Sequence, residues 1–260
     1  MELELLHQAS AGNPKGSVLL LHGACMGAWC WSDNLLPWFA ARGYDSYAMS
    51  LRNHGNSPDK GRLVFRRISE YVEDLGNTVK KLRGPVHVIG HSMGGFTLQH
   101  YLANPDENLG KAILLCSAPP HGSWKLVGDL ATQHPILFAK SNLLMSWLPI
   151  IGNKANARKV MFSANCPDER IDFAMRHLKD ESFLAFLDML VLDLPKPAAA
   201  KRKPVIVGAE KDFLVPLSET VRTARAYGVE PYIIQDASHN FFLEAGWEPT
   251  AEVILQRIES

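Results

Sequence analysis

Residues 86–102 constrain the chain more than any other stretch. Val86-His87-Val88-Ile89 is a short apolar, β-prone run, Gly90-His91-Ser92-Met93-Gly94-Gly95 follows it, and Phe96 to Leu102 reads as a helix. In a strand–turn–helix this tight, the serine backbone is held in a strained conformation. A side chain at the glycine positions would collide with the neighbouring strand or helix. A serine capping a glycine-rich helix start shares the short motif, but the strand before it and the helix after it point to an exposed nucleophile at Ser92.

The rest of the chain supplies a scaffold for such a turn. Ser17-Val18-Leu19-Leu20-Leu21 is an unbroken apolar run, the pattern of a central strand covered on both faces. Leu3 to Leu6 suits an edge strand, Trp31 to Arg42 a helix stopped by Gly43, and Tyr44 to Met49 the next strand. Over residues 68–83, Ile68, Val72, Leu75, Val79 and Leu82 share one helical face, with acidic residues early and basic ones late. Ala112 to Leu115 gives another buried strand, and repeated alternation of strand and helix implies a parallel sheet with helices on both faces.

From Pro119 to Pro197 the alternation stops. This stretch is rich in Leu, Met, Phe and Trp, with helices expected at 167–178 and 180–192. It reads as a helical cap or lid over the carboxyl edge of the sheet, where open α/β sheets bind ligands. Its most apolar part, Ile136 to Ile151, is shorter than a bilayer span and carries Lys140 and Pro149, so no membrane span is expected. Strand 205–208, helix 218–227, strand 232–234 and a final helix near 249–258 complete the pattern. The expectation is an α/β fold, a mostly parallel central sheet flanked by helices, with residues 1–118 and 198–260 as core and 119–197 as the insertion.

A serine hydroxyl is a weak nucleophile near neutral pH, so Ser92 needs a base and the base an orienting carboxylate. His239, in the loop after the last strand, is the expected base. Asp212, in the loop after the preceding strand, is the expected carboxylate, with Asp236 as its rival. The oxyanion formed on attack needs two backbone N–H donors; Met93, directly after the nucleophile, and Ala24, in the loop after Leu21, are the candidates. Cys25, His91 and Trp124 are candidate pocket walls. This chemistry requires no cofactor and no metal. Four cysteines without a Cys-x-x-Cys pair suit neither a disulfide framework nor a zinc site.

Taken together, His22-Gly23, the Arg52-Asn53-His54-Gly55-Asn56-Ser57 turn, Gly90 to Gly95, Gly208 to Pro216 and His239 resemble the α/β-hydrolase superfamily over essentially the whole chain. The Ser–Asp–His order is the one expected there. His22 to Trp31 is similar to the start of plant methylesterases and hydroxynitrile lyases. The lyases typically carry lysine beside the catalytic histidine, where this chain has Asn240, which favours hydrolysis. The Arg52–Ser57 turn is similar to bacterial and general esterases, although Ser50 stands where an acidic residue is often seen.

The resemblance implies a serine hydrolase of carboxylic esters working through an acyl-enzyme, and the Leu, Met, Phe and Trp content of the insertion suggests small to medium apolar acyl or alkyl groups. A carbon–carbon bond hydrolase, a thioesterase and a slow small-molecule receptor are alternatives on the same fold. Dehalogenases and epoxide hydrolases of this fold use aspartate where Ser92 stands. Lysine plus arginine and aspartate plus glutamate both number 27, so no global field favours nucleic acid. The N-terminal residues show no secretion signal, and the cytoplasm is the default compartment.

Overall fold

The computed structural model describes residues 2–59 and 61–260, Leu126 by its backbone alone. The chain runs β1 (Leu5–Gln8), β2 (Ser17–Leu21), α1 (Leu35–Ala40), β3 (Asp45–Met49), α2 (Ile68–Val79), β4 (Val86–His91), α3 (Met93–Tyr101) and β5 (Leu109–Leu115). Helices α4 (Trp124–Gln133), α5 (Pro135–Leu144), α6 (Leu148–Ile151), α7 (Lys154–Met161), α8 (Asp168–His177) and α9 (Phe183–Leu187) follow. Alternation resumes with β6 (Val205–Ala209), α10 (Leu217–Tyr227), β7 (Tyr232–Ile234) and α11 (Glu248–Glu259).

All seven strands form one sheet in the order β1-β3-β2-β4-β5-β6-β7. Only β1 runs antiparallel, against β3; the other pairings are parallel. Every residue of β2 and β4 is buried, as central strands with helices on both faces must be. From β2 the chain steps outward to β3 and then crosses back to β4. The loops after β2 and β4 therefore diverge from adjacent strands, and a crevice opens between them at the carboxyl edge.

Several boundaries differ from those expected, each for a local reason. The helix expected from Trp31 to Arg42 is a 3-10 turn at Ala28–Trp31 followed by the short α1. Asn34 breaks it: its side-chain oxygen caps Leu35 N–H, and its amide donates to the carbonyls of Cys30 and Phe242. The edge strand begins at Leu5 rather than Leu3. Glu4 is occupied elsewhere: its N–H meets the Ser57 hydroxyl, and its carboxylate accepts from the Ser50 hydroxyl at 2.5 Å and the Asn56 N–H at 2.9 Å. Ser50 is thus paired with the Glu4 carboxylate. Helix α2 ends four residues before the expected Arg83.

In the insertion, α8 matches one expected helix. The other starts at Phe183, not Asp180, because Ser182 spends its hydroxyl capping Ala185 N–H, and it ends in a π-helical turn over Asp188–Leu192. Helices α4 to α7 were not among those expected. Cys25, Cys30, Cys116 and Cys166 are free and buried. Among the described residues, no helix is long and apolar enough to cross a membrane.

Candidate active site

Ser92 sits between β4 and α3 with φ 52° and ψ −116°, a conformation that costs a non-glycine residue on the order of 1–3 kcal/mol. The surroundings enforce it. Ser92 N–H donates to the Leu115 carbonyl at 3.0 Å, and its own carbonyl accepts from the N–H groups of Phe96 and Ala118. A Cβ on Gly94 would lie 2.5 Å from the His22 carbonyl oxygen, and one on Gly90 2.6 Å from that of Gly94. The glycines therefore let α3 start hard against the strands, which pushes the serine out at the crest.

His239 reaches the same place from the loop after β7. Its Nδ1 lies 2.7 Å from Asp212 Oδ2, both side chains are buried, and Asp212 Oδ1 accepts the Val215 N–H at 2.8 Å. An Nδ1–H donated to the carboxylate leaves Nε2 free to accept a proton. Asp236 takes no part: its side chain is 82% exposed and pairs with Lys211. Lys211 also holds the Asp236 carboxyl below its usual range. Asp236 has φ 57°, a backbone turn that belongs to the loop's own geometry.

His91, next to Ser92, packs its ring 4.6 Å from that of His239 and directs Nε2 to the His239 carbonyl at 3.1 Å. Burial, then the neighbouring His239, pushes its pKa well down, so His91 is a neutral donor that holds the backbone of the second histidine. Cys116, Asp212 and His239 bring potential metal-ligand atoms within 4.8 Å of one another, the one such trio among the described residues. Two of the three are bonded to each other. Burial, followed by the Asp212 charge, raises the third, the Cys116 thiol, far above its usual range. A protonated thiol beside Asp212 is a weak donor to that carboxylate rather than a metal ligand.

A cavity of about 110 Å³ touches Ser92, Met93, His239, Ala24, Cys25 and His91, which brings these residues together in one place. Met93 opens α3, so its N–H has no intrahelical acceptor. Among the described residues the Ala24 N–H has no backbone acceptor either. The loop that carries Ala24 is shaped by His22. Its Nε2 accepts from Leu51 N–H and its Nδ1 faces the Gly23 carbonyl, and burial, then nearby His54, lowers its pKa to about 3.

Residues 119–197 contribute apolar side chains to the cavity wall, including Leu130, Trp147, Ile151, Met161, Phe186 and Met189. Trp124 is a correction. It is 55% exposed and does not line the cavity. Its indole folds back over Gly122, while Ser123, just before α4, and Leu130 within it line the cavity. Two polar residues on the cavity wall were not expected there. Asn240 is fully buried with both amide atoms unpartnered. Glu181 is a buried carboxylate on the wall, and its only sequence signal was the capping pattern Asp180-Glu181-Ser182 before an apolar run.

Comparison with known proteins agrees with this architecture. A probable lysophospholipase of Haemophilus influenzae is 30% identical over 136 residues, 46% of this chain and 39% of that protein. A pFDCC methylesterase of Arabidopsis thaliana is 25% identical over 86% of this chain and 87% of its own. The solved esterase of Exiguobacterium antarcticum superposes with a TM-score of 0.76 over 99% of this chain and 96% of that one, at 18% identity, a likeness of fold. Residues 18–253 match the Alpha/beta hydrolase family as a whole, and with sheet order, serine turn and family match in agreement, the chain belongs to the alpha/beta hydrolase family.

Proposed function

We propose that the protein is a serine hydrolase of carboxylic esters and that the insertion acts as a cap over its active site. The observation that carries this reading is the 2.7 Å His239–Asp212 contact at the wall of the cavity that Ser92 enters. Ser92 Oγ attacks the ester carbonyl while His239 Nε2 takes its proton, and Asp212 steadies the imidazolium through Nδ1–H. The negative oxygen of the tetrahedral intermediate is held by the N–H groups of Ala24 and Met93. Collapse expels the alcohol, protonated by His239. Water, deprotonated by the same histidine, then attacks the acyl-enzyme and frees the acid and Ser92. The kinship with proteins named esterase, methylesterase and lysophospholipase supports ester over thioester or carbon–carbon substrates.

The test is a fluorophosphonate probe followed by peptide mass spectrometry. Covalent mass on the peptide bearing Ser92 is the expected result, and labelling elsewhere or nowhere overturns the mechanism. Substrate preference follows from the roof. Its side chains are largely apolar, and the one carboxylate on the wall, Glu181, is already engaged by donors of the protein. A charged acyl group would enter without a charged partner, at a cost of several kcal/mol. Neutral p-nitrophenyl esters of short to medium chains should therefore exceed the succinyl ester in kcat/KM by about a hundredfold. A succinyl ester turned over faster than the neutral series would contradict the apolar pocket.

A further inference from the structure

Glu181 is a buried carboxylate on the cavity wall that the proposed chemistry leaves unused. It belongs to the insertion, between α8 and α9, yet its side chain reaches the loop after β2. Oε2 accepts from the Cys25 N–H at 3.1 Å and faces His54 Nε2 at 2.9 Å. Oε1 accepts from the Tyr71 hydroxyl at 3.0 Å and the Ser182 N–H at 2.7 Å. Burial alone would raise the Glu181 carboxyl, but His54 and the backbone donors outweigh it and hold the group below its usual range. His54 also directs Nδ1 to the Arg52 carbonyl at 3.0 Å. With an acceptor at each nitrogen, the doubly protonated ring is favoured: burial works against its charge, but Glu181 overcomes it, so the His54 pKa is raised.

What the carboxylate grips is a strained residue. Cys25 has φ 66°, a left-handed conformation that a non-glycine residue keeps only where its surroundings over-determine it. Both of its peptide groups are held by one short segment of the insertion. Glu181 takes the N–H, and the Lys179 N–H donates to the Cys25 carbonyl at 3.0 Å. The peptide plane containing the Cys25 N–H meets the plane containing the Ala24 N–H at the Ala24 Cα. Fixing the first limits the rotations by which the second could swing away from the cavity.

We propose that Glu181 is a positioning residue for the oxyanion hole, clamping the Cys25 peptide from the insertion so that the Ala24 N–H stays aimed at the reacting carbonyl. The proposal rests on the roles of Ser92 and Ala24 given above. It makes the insertion part of the catalytic geometry as well as a roof, because the β2 loop is completed by a residue that lies 156 positions from Cys25 in the chain.

The experiment compares wild type with Glu181→Gln, which keeps size and shape, and Glu181→Leu, which keeps neither charge nor acceptor. Two rates are read on folded protein: steady-state kcat and KM on a neutral ester, and the second-order rate of fluorophosphonate labelling. Labelling forms a Ser92 Oγ–phosphorus bond, expels fluoride and loads the same oxyanion donors. Direct removal of such a donor costs about 100- to 1,000-fold, so an indirect effect should be smaller. We expect kcat and the labelling rate to fall together, about tenfold for Gln and about a hundredfold for Leu, with KM within about threefold of wild type.

Either variant folded and within about twofold of wild type in both rates overturns the proposal, as does a loss carried by KM alone. If the Leu variant does not fold, the isosteric Gln variant decides on the same terms. If the wild type labels at Ser92 but hydrolyses no ester, the proposed function fails while the labelling ratio still decides the role of Glu181. A wild type that neither labels nor turns over sinks both.

Discussion

Ser92→Ala is expected to lower kcat by at least about a thousandfold while leaving the thermal midpoint nearly unchanged. The chemical half of that expectation comes from the site. The serine side chain is the only group on the crest of the β4–α3 turn that offers a nucleophile, and removing it leaves at most the binding and oxyanion contributions. The structural half comes from the backbone. The fold holds this residue through Leu115, Phe96 and Ala118, all by main-chain bonds that alanine retains. The φ of 52° is no harder for alanine than for serine. Ester turnover and a thermal melt on the same preparation provide the check. A folded variant within about tenfold of wild-type kcat would dismantle the proposed mechanism.

The second large effect separates two aspartates. Asp212→Asn should reduce kcat by about a thousandfold or more, because the amide can present its NH2 to His239 and stabilise the tautomer with the proton on the wrong nitrogen. The same change at Asp236 should cost less than about tenfold, since that side chain points into solvent and engages Lys211. The two substitutions remove the same charge from the same edge of the sheet, so the comparison controls for net charge. Side-by-side kcat measurements giving the reverse ranking would transfer the orienting role to Asp236.

The site was legible wherever chemistry and local backbone coincide. Gly90 to Gly95 carries the proposed nucleophile, its strain and its glycines within six residues, and β2, β4 and β7 are apolar runs with clear stops. Asp212 could be preferred over Asp236 because loops after neighbouring parallel strands emerge side by side, and β6 and β7 do pair. What stayed hidden depends on long-range contact. Glu181 looks like an ordinary capping residue until the fold brings His54, Tyr71 and Cys25 around it. Helix α5 lacked a readable period because apolar residues lie on several of its faces: Ile136 and Leu143 are more than four-fifths exposed. Trp124 misled for a related reason. An aromatic residue near the start of an apolar insertion suggests a pocket wall, but one step of 100° along a helix decides whether it faces inward.

The four buried thiols give the folded protein a built-in record of its own opening. Burial raises Cys25, Cys30 and Cys116 far above the usual thiol range and Cys166 to about 11. Alkylating reagents attack the thiolate, so the closed molecule should be nearly silent to them. Reaction must wait for local unfolding, and the alkylation rate of each cysteine then measures how often its neighbourhood opens. The positions are well distributed: Cys166 lies between α7 and α8, Cys30 in the turn before α1, Cys116 at the end of β5, and Cys25 on the cavity wall. If the insertion breathes independently of the sheet, Cys166 will be modified ahead of Cys30 and Cys116 under native conditions. Pulsed alkylation would thus resolve the motions of the two parts without a single engineered probe.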